Sequence, residues 1–369
     1  MRFRHPGGSG RPAVDLTTRI GSLVLPNPVL TASGTAGHGH ELADHLDPAS
    51  LGAVVVKSLH VQAWDGNPAP RVHATPAGML NSVGLQGPGV EAWLEHDLPG
   101  LVATGARVVV SIWGRRVAEF ARAAELLADA PAEVVAVEVN ASCPNLEDRR
   151  ALFAHSGTAT AEVVAAAAAA RRPRWAKLSP NTPELPDIAA AAAGAGAEAV
   201  TVANTVLGMV IDTESRRPLL GAGRGGLSGP AIRPVAVRAV FDTREALPDL
   251  PIIGVGGVAS AVDAVQFLLA GASAVQVGTA TFADPRAPAR ILRDLGRWCD
   301  SHGGSRLEEL IGAAHGGRHA GAGRDGGRGP WLTTRCPRRS GAGCAWCWTW
   351  TTWWQPAGRP ISWPPGSAR

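Results

Sequence analysis

Lysine is almost absent from this chain. Of its 35 basic residues 33 are Arg, and Lys occurs only at positions 57 and 177. Both close apolar, strand-like runs, VVVKS and WAKLS. A chain so biased toward the delocalised guanidinium keeps the compact ammonium where a point charge is wanted, so Lys57 and Lys177 are candidate functional residues. Cysteine is sparse too. Cys143 and Cys299 lie in the regularly patterned part, and Cys336, Cys344 and Cys347 follow it. Five such residues exclude a disulfide framework and fit a reducing cytoplasm. No apolar run reaches membrane-spanning length, and the Ala-rich stretch at 165–170 ends at Arg171 and Arg172. The N-terminus, MRFRHPGGSGRPAVDL, has no apolar segment, so no signal peptide is expected. GxSxG, HExxH and Walker A sequences are missing as well. His38 and His40 suit a solvated loop better than a metal site, and no metal is expected. The NAS at Asn140 matches a glycosylation acceptor only formally, because nothing directs the chain to secretion.

What is present suits a folded, soluble protein. The chain has 369 residues, 45% hydrophobic and 18% charged, enough for one large core or two smaller ones. Its net charge of +4 is unevenly placed. From Ala313 onward there are eight Arg and one Asp, so that segment carries +7 and the remainder −3. A mildly acidic body argues against nucleic acid as the main partner.

Short apolar runs alternate with longer helical ones. The predicted strands are Pro28–Ser33, Ala53–Lys57, Val108–Trp113, Val134–Asn140, Trp175–Ser179, Ala199–Asn204, Ile252–Val255 and Ala274–Gly278. Helical stretches lie between most of them, among them Ala118–Ala128, Ala161–Arg171, Pro186–Ala193 and Ala231–Phe241. Eight such repeats predict an α/β protein, a (β/α)₈ TIM barrel. A doubly wound open sheet is the competitor, but no GxGxxG opens its first strand–helix unit.

In a barrel the functional groups follow the strand C-termini. Those positions hold Ser33 and Gly34, Lys57 and Ser58, Asn140–Asn145, Lys177, Asn204 and Thr205, Gly256 and Gly257, and Gly278 and Thr279. The fourth is distinctive. NASCPN places two amides, a hydroxyl and a thiol on one turn, and Pro144 fixes its own φ and holds Cys143 away from helix. Cys143 is the candidate reactive group, against the commoner role of a small buried hydrophobe. The last two strands run into GVGGV and QVGTA, where glycines let backbone N–H groups approach a phosphate. Two segments break the rhythm. Residues 60–95 form a long insertion suited to a lid or binding loop and contain Asn81. A second insertion, 208–230, is rich in Gly and Arg.

Together NPVLTASGT, VVKS, GNPAPR, MLNSVGLQGPG, NASCPN, KLSPN, ANTVLGMVID, GGLSGPAI, PIIGVGGV and GASAVQVGTA resemble the class 1 dihydroorotate dehydrogenases over about residues 16–315. LNSVGLQGPG is closest in form to the class 1B, NAD-linked catalytic subunit. The resemblance implies an FMN barrel that oxidises dihydroorotate to orotate in pyrimidine synthesis, with Cys143 as the base and hydride passing to the flavin. It implies that Lys57, Asn81, Ser82, Val83, Gly84, Leu85, Asn140, Asn204 and Thr205 hold substrate. It assigns Ser33, Lys57, Ser58, Asn140, Lys177, Ala203, Gly229, Gly256, Gly257, Gly278 and Thr279 to FMN. A thiol acting as base needs its pKa lowered toward working pH, and either lysine could contribute. The class 1B likeness further implies a partner subunit carrying FAD and a 2Fe-2S cluster. A homodimer of this chain is expected, and a class 1A enzyme would use fumarate alone, as a homodimer. The alternative activities are another FMN barrel acting on a reduced pyrimidine, as in dihydropyrimidine dehydrogenase, or an inert chain.

Two stretches depart from the family pattern. After NASCPN the chain reads LEDRRALFAHS, more charged than the Gly-containing loop of the class 1B type. Residues 316–369 hold seven of the 12 Trp amid Gly, Arg and Pro without periodicity. The CxxC at Cys344 and Cys347 has no second pair for zinc. This tail is expected to be disordered and aggregation-prone, the product of a shifted reading frame, with residues 1–15 a flexible N-terminus.

Overall fold

Strands covered on both faces lose the polar alternation of a half-solvated sheet, and the apolar runs of this chain do so. In the computed structural model, which describes residues 14–143 and 152–317, they form eight parallel strands. These are β1 (Val29–Thr31), β2 (Val54–Val55), β3 (Val108–Ile112), β4 (Val134–Asn140), β5 (Arg174–Lys177), β6 (Ala199–Val202), β7 (Ile252–Val255) and β8 (Ala274–Val277). Their order in the sheet is β1-β8-β7-β6-β5-β4-β3-β2, and a bridge between Leu30 and Ala53 joins the two end strands. The sheet therefore closes into the expected barrel. An open doubly wound sheet would have kept two unpaired edges.

Helices α1 (Leu98–Ala103), α2 (Val117–Leu126), α3 (Gly157–Ala166), α4 (Leu185–Gly194), α5 (Arg233–Ala246), α6 (Ala261–Leu269) and α7 (Ala287–Ser301) follow β2 to β8 in turn. Several starts are set locally. The Ser156 hydroxyl accepts the Ala159 N–H at 3.3 Å, and Ser260 and Asp263 cap α6 reciprocally. The β1–β2 connection departs from strict alternation. It has two 3₁₀ turns, Glu41–Asp44 and Pro48–Ser50, in place of an α-helix. The Ala-rich helix also stops earlier than its composition predicts. It passes at Ala167–Ala170 into a 3₁₀ turn that ends at Arg171, whose φ is 55°.

The barrel interior follows from the two-residue period of a strand. One apolar side chain or more from every strand meets at the floor: Leu30, Ala53, Val55, Val109, Ala136, Trp175, Ala199, Ile253 and Ala274. Ile20 and Leu25 join them from an antiparallel hairpin, Thr18–Ile20 with Leu23–Leu25. Two residues above the floor the same inward face turns polar, with Ser111, Glu138, Lys177, Thr201 and Gln276, all buried. Two residues further along β4 is Asn140, at the end of that strand.

The two insertions are not the irregular loops their composition suggests. Val72–Thr75, Gly78–Asn81, Val206–Gly208 and Gly225–Ser228 build one four-stranded antiparallel sheet. Asn81 pairs with Gly226 and Met79 with Ser228, so segments far apart in sequence share hydrogen bonds. Pro144 and Asn145 of NASCPN, residues 1–13 and residues 318–369 lie outside the described residues. Among the described residues no helix is long and apolar enough to cross a membrane.

Trp175 is the largest side chain of the floor and is fully buried. Trp175→Ala is expected to remove about 3–5 kcal/mol of stability, measured by denaturant unfolding, through the cavity it leaves. A loss below about 1 kcal/mol would mean that the floor collapses around the gap.

Candidate active site

Each strand that ends at the polar level delivers its next residues to one space. A cavity of about 400 Å³ lies between the strand C-termini and the four-stranded sheet. Of the predicted site residues, Ser33, Lys57, Ser58, Asn81, Ser82, Val83, Gly84, Leu85, Asn140, Lys177, Ala203, Asn204, Thr205, Gly229, Gly256, Gly257, Gly278 and Thr279 all line it. Cys143 does not.

A run of hydrogen bonds crosses the cavity wall. Ser33 and Ser58 hydroxyls lie 3.1 Å apart, and Ser58 and Ser111 hydroxyls 2.8 Å apart. The Asn140 amide donates to the Ser58 hydroxyl at 3.2 Å, and its carbonyl accepts from the Asn204 amide at 3.2 Å and from the Ser142 N–H at 3.2 Å. The Asn204 carbonyl in turn accepts the Thr205 N–H at 2.8 Å. These bonds fix which way each amide points, which an amide alone does not settle. On the sheet side Asn81 donates to the Gly226 carbonyl at 3.3 Å. Thr279 donates to the Ser228 hydroxyl at 2.8 Å, tying the end of β8 to the second insertion.

The glycines predicted to receive a phosphate meet at one corner. Gly257 has φ 77° and Gly229 φ 93°, a region that disfavours any side chain. A Cβ on Gly257 would lie 2.7 Å from the Gly229 carbonyl oxygen, so the two turns approach as closely as backbone allows.

Among the described residues the charge of the wall has one sign: Lys57, Lys177 and Arg224 line the cavity, and no Asp or Glu does. Burial, and then the charge of Arg71, holds the Lys57 ammonium below the ordinary lysine value of 10.5. Lys177 is buried, and its Nζ lies 3.5 Å from the Glu138 carboxylate beneath the cavity. Three cations and no anion suit a ligand carrying phosphate or carboxylate.

Cys143 has a different setting. Its side chain is fully buried, and the thiol donates to the backbone carbonyl of Asn140 at 3.2 Å. Burial pushes its pKa up, against a smaller lowering by the Gly114 N–H, and the Glu119 charge adds to the rise. The lowered thiol that the chemistry asks for is not met in this arrangement, and neither lysine contributes to it. The neighbouring Ser142 lines the cavity instead.

Several wall residues escaped the sequence reasoning, namely Arg224, Gly225, Gly226 and Ser228, and Ser142 was placed on the NASCPN turn without a role. Ser228 and its glycines stand in the GGLSG run, a signal that could have placed them. Glu138, below the wall, could have been found by stepping back two residues from Asn140.

The fold and the site define a class, a (β/α)₈ barrel with a cationic, amide-rich cavity at its strand C-termini. The chain belongs to the dihydroorotate dehydrogenase family, whose model matches residues 15–298. It is 50% identical to the protein named dihydroorotate dehydrogenase B (NAD(+)), catalytic subunit, of Desulforudis audaxviator, over 82% of this chain and 98% of that one. It is 45% identical to the protein of the same name from Pelobacter propionicus, over 81% and 98% of the two chains. For the Geotalea uraniireducens protein, also of that name, the identity is 43% over 82% and 99%.

With two lysines in the whole chain, reductive ¹³C-methylation gives a spectrum simple enough to titrate Lys57. Its signal is expected to titrate below 10.5. Because the protonated form is the one penalised, its contribution to stability should rise as pH climbs through that lowered midpoint toward the ordinary value. Neither lysine signal moving before the ordinary value would contradict the burial argument.

Proposed function

We propose that this chain is the FMN-dependent catalytic subunit of a dihydroorotate dehydrogenase, oxidising dihydroorotate to orotate in pyrimidine biosynthesis. The observation that carries the reading is the cavity itself. Both lysines of the chain and the amides of Asn81, Asn140 and Asn204 converge there, with no carboxylate in the wall among the described residues. The family match supports it.

The residues present fit FMN. Ser33, Ser58, Lys177 and Ala203, with the glycine corner of Gly229, Gly256, Gly257, Gly278 and Thr279, would hold it. When bound, FMN supplies a two-electron acceptor for the hydride of the substrate. Asn81, Asn140 and Asn204, with Ser82–Leu85 and Thr205, would meet the amide edges of the planar ring, since each amide both donates and accepts. Lys57 would face the substrate carboxylate, and its ammonium, held deprotonation-prone by burial, is stabilised again by that anion.

Cys143 is the proposed base, taking a proton from the ring carbon next to the one that loses hydride. Its support is its place one residue from the cavity wall in NASCPN. A second reading has a specific observation behind it: Ser142 lines the cavity, and its buried hydroxyl has no hydrogen-bond partner among the described residues. An uncharged dihydropyrimidine is less favoured as substrate, because it would leave Lys57 without an anion.

In this reading the chain works with a second subunit, as the names of its relatives imply. That subunit would carry FAD and a 2Fe-2S cluster and pass electrons to NAD. The two described cysteines, Cys143 and Cys299, fall short of the four such a cluster takes. The catalytic chain would pair as a homodimer in the cytoplasm. Residues 16–315 would form the working barrel, with residues 316–369 outside that domain in sequence. The relatives are matched almost end to end by about four fifths of this chain, which favours that division.

Anaerobic mixing of the purified protein with dihydroorotate is expected to bleach bound flavin, and dihydrouracil is not; bleaching by dihydrouracil alone would reverse the substrate assignment. Cys143→Ala should retain the flavin spectrum and lose about 10²–10⁴-fold in the reduction rate. Ser142→Ala should stay near the parent rate, and the opposite pair of results would move the base to Ser142.

A further inference from the structure

Beneath the cavity lies a buried carboxylate that the reaction as described does not use. Glu138 is fully buried inside the barrel, in the middle of β4. One carboxylate oxygen accepts from the Thr201 hydroxyl of β6 at 2.9 Å and from the Gln276 amide of β8 at 2.7 Å. The other oxygen makes no hydrogen bond and lies 3.5 Å from Lys177 Nζ. Three strands thus fix a carboxylate whose remaining oxygen faces the ammonium, while Lys177 lines the cavity and Glu138 does not. A buried carboxylate is costly unless it is paired, and an apolar residue here would have filled the interior at less cost. Simple barrel packing does not account for it.

We propose that Glu138 is a positioning residue: its carboxylate, held by Thr201 and Gln276, fixes the Lys177 ammonium at the cavity floor and sets the positive charge that bound flavin meets there. The proposal rests on the FMN reading above. Two donors keep the carboxylate from rotating, so Lys177 is anchored from below and its remaining donors are turned toward the cavity. The pair also sets the local charge. With Glu138 ionised the floor is close to neutral, and with the carboxylate replaced by an amide Lys177 acts as an uncompensated cation. Reduced flavin carries more negative charge than oxidised flavin, so an uncompensated cation favours the reduced form.

The test is Glu138→Gln in the full chain, isosteric but uncharged, with the flavin midpoint potential as readout. The expected result is about a tenfold shift toward reduced flavin, which for a two-electron couple is an upward move of about 30 mV. Glu138→Asp, which keeps the charge, should return the potential toward the parent value. An unchanged potential in Glu138→Gln, or an equal shift in Glu138→Asp, overturns the proposal and leaves a packing role. Should Glu138→Gln not fold, the apoprotein decides. Lys177→Met strands the carboxylate and should lower Tm, and Lys177→Met with Glu138→Gln should recover it. A double variant no more stable than Lys177→Met overturns the pairing. A parent chain that takes up no FMN overturns the functional reading, and the stability cycle still reports separately on the pair.

Discussion

Inside a closed barrel, every second residue of every strand has only the axis to point to. The rest of this structure depends on that constraint. Eight strands first meet it with apolar residues, from Leu30 round to Ala274, and so build a floor. The next inward step is polar, with Thr201 and Gln276 both donating to Glu138 across the barrel interior. The step after that opens into the cavity, at Asn140 and just beyond the ends of β6 and β8, and the Lys177 side chain reaches it from the polar step. Chemistry is thus graded along the axis by counting in twos, and the buried charges Glu138 and Lys177 survive because they meet from neighbouring strands.

The strand-end rule made most of the site legible before any coordinates. It located Lys57, Asn140, Lys177, Asn204 and the paired glycine turns, because in a barrel the last inward residue of a strand has to face the mouth. What it missed depends on contacts between distant segments. Ser228 and Gly226 belong to a strand whose partner lies near residue 80, and a window along the sequence cannot register that. Glu138 was hidden in a run of valines. The 3₁₀ turns between β1 and β2, and the early end of α3, are outcomes of packing that composition does not encode. The setting of Cys143 was missed for a related reason: the burial that raises its pKa comes from what surrounds the thiol, and neighbours in sequence do not report it.

The near-absence of lysine also acquires a reason in three dimensions. An Arg at position 177 would bring five N–H donors into a space where the carboxylate below has a single oxygen left to accept. A compact ammonium needs fewer partners and fits a narrower place. Arg224 stands in the wall at an exposed position, where water can satisfy its fork. The choice between the two cations follows burial.

The sheet that joins the two insertions acts as a ruler. Asn81 stands opposite Gly226, and Met79 opposite Ser228, whose hydroxyl is held by Thr279. The end of the cavity that holds the Asn81 amide and the end where the glycine corner gathers are therefore spaced by two residues on one ladder, roughly 7 Å. Backbone pairing sets that distance, and side-chain packing has no part in it. A slip of one residue would turn Asn81 out of the cavity and put Leu80 in its place. A shift of main-chain register would therefore re-space both ends of the cavity at once.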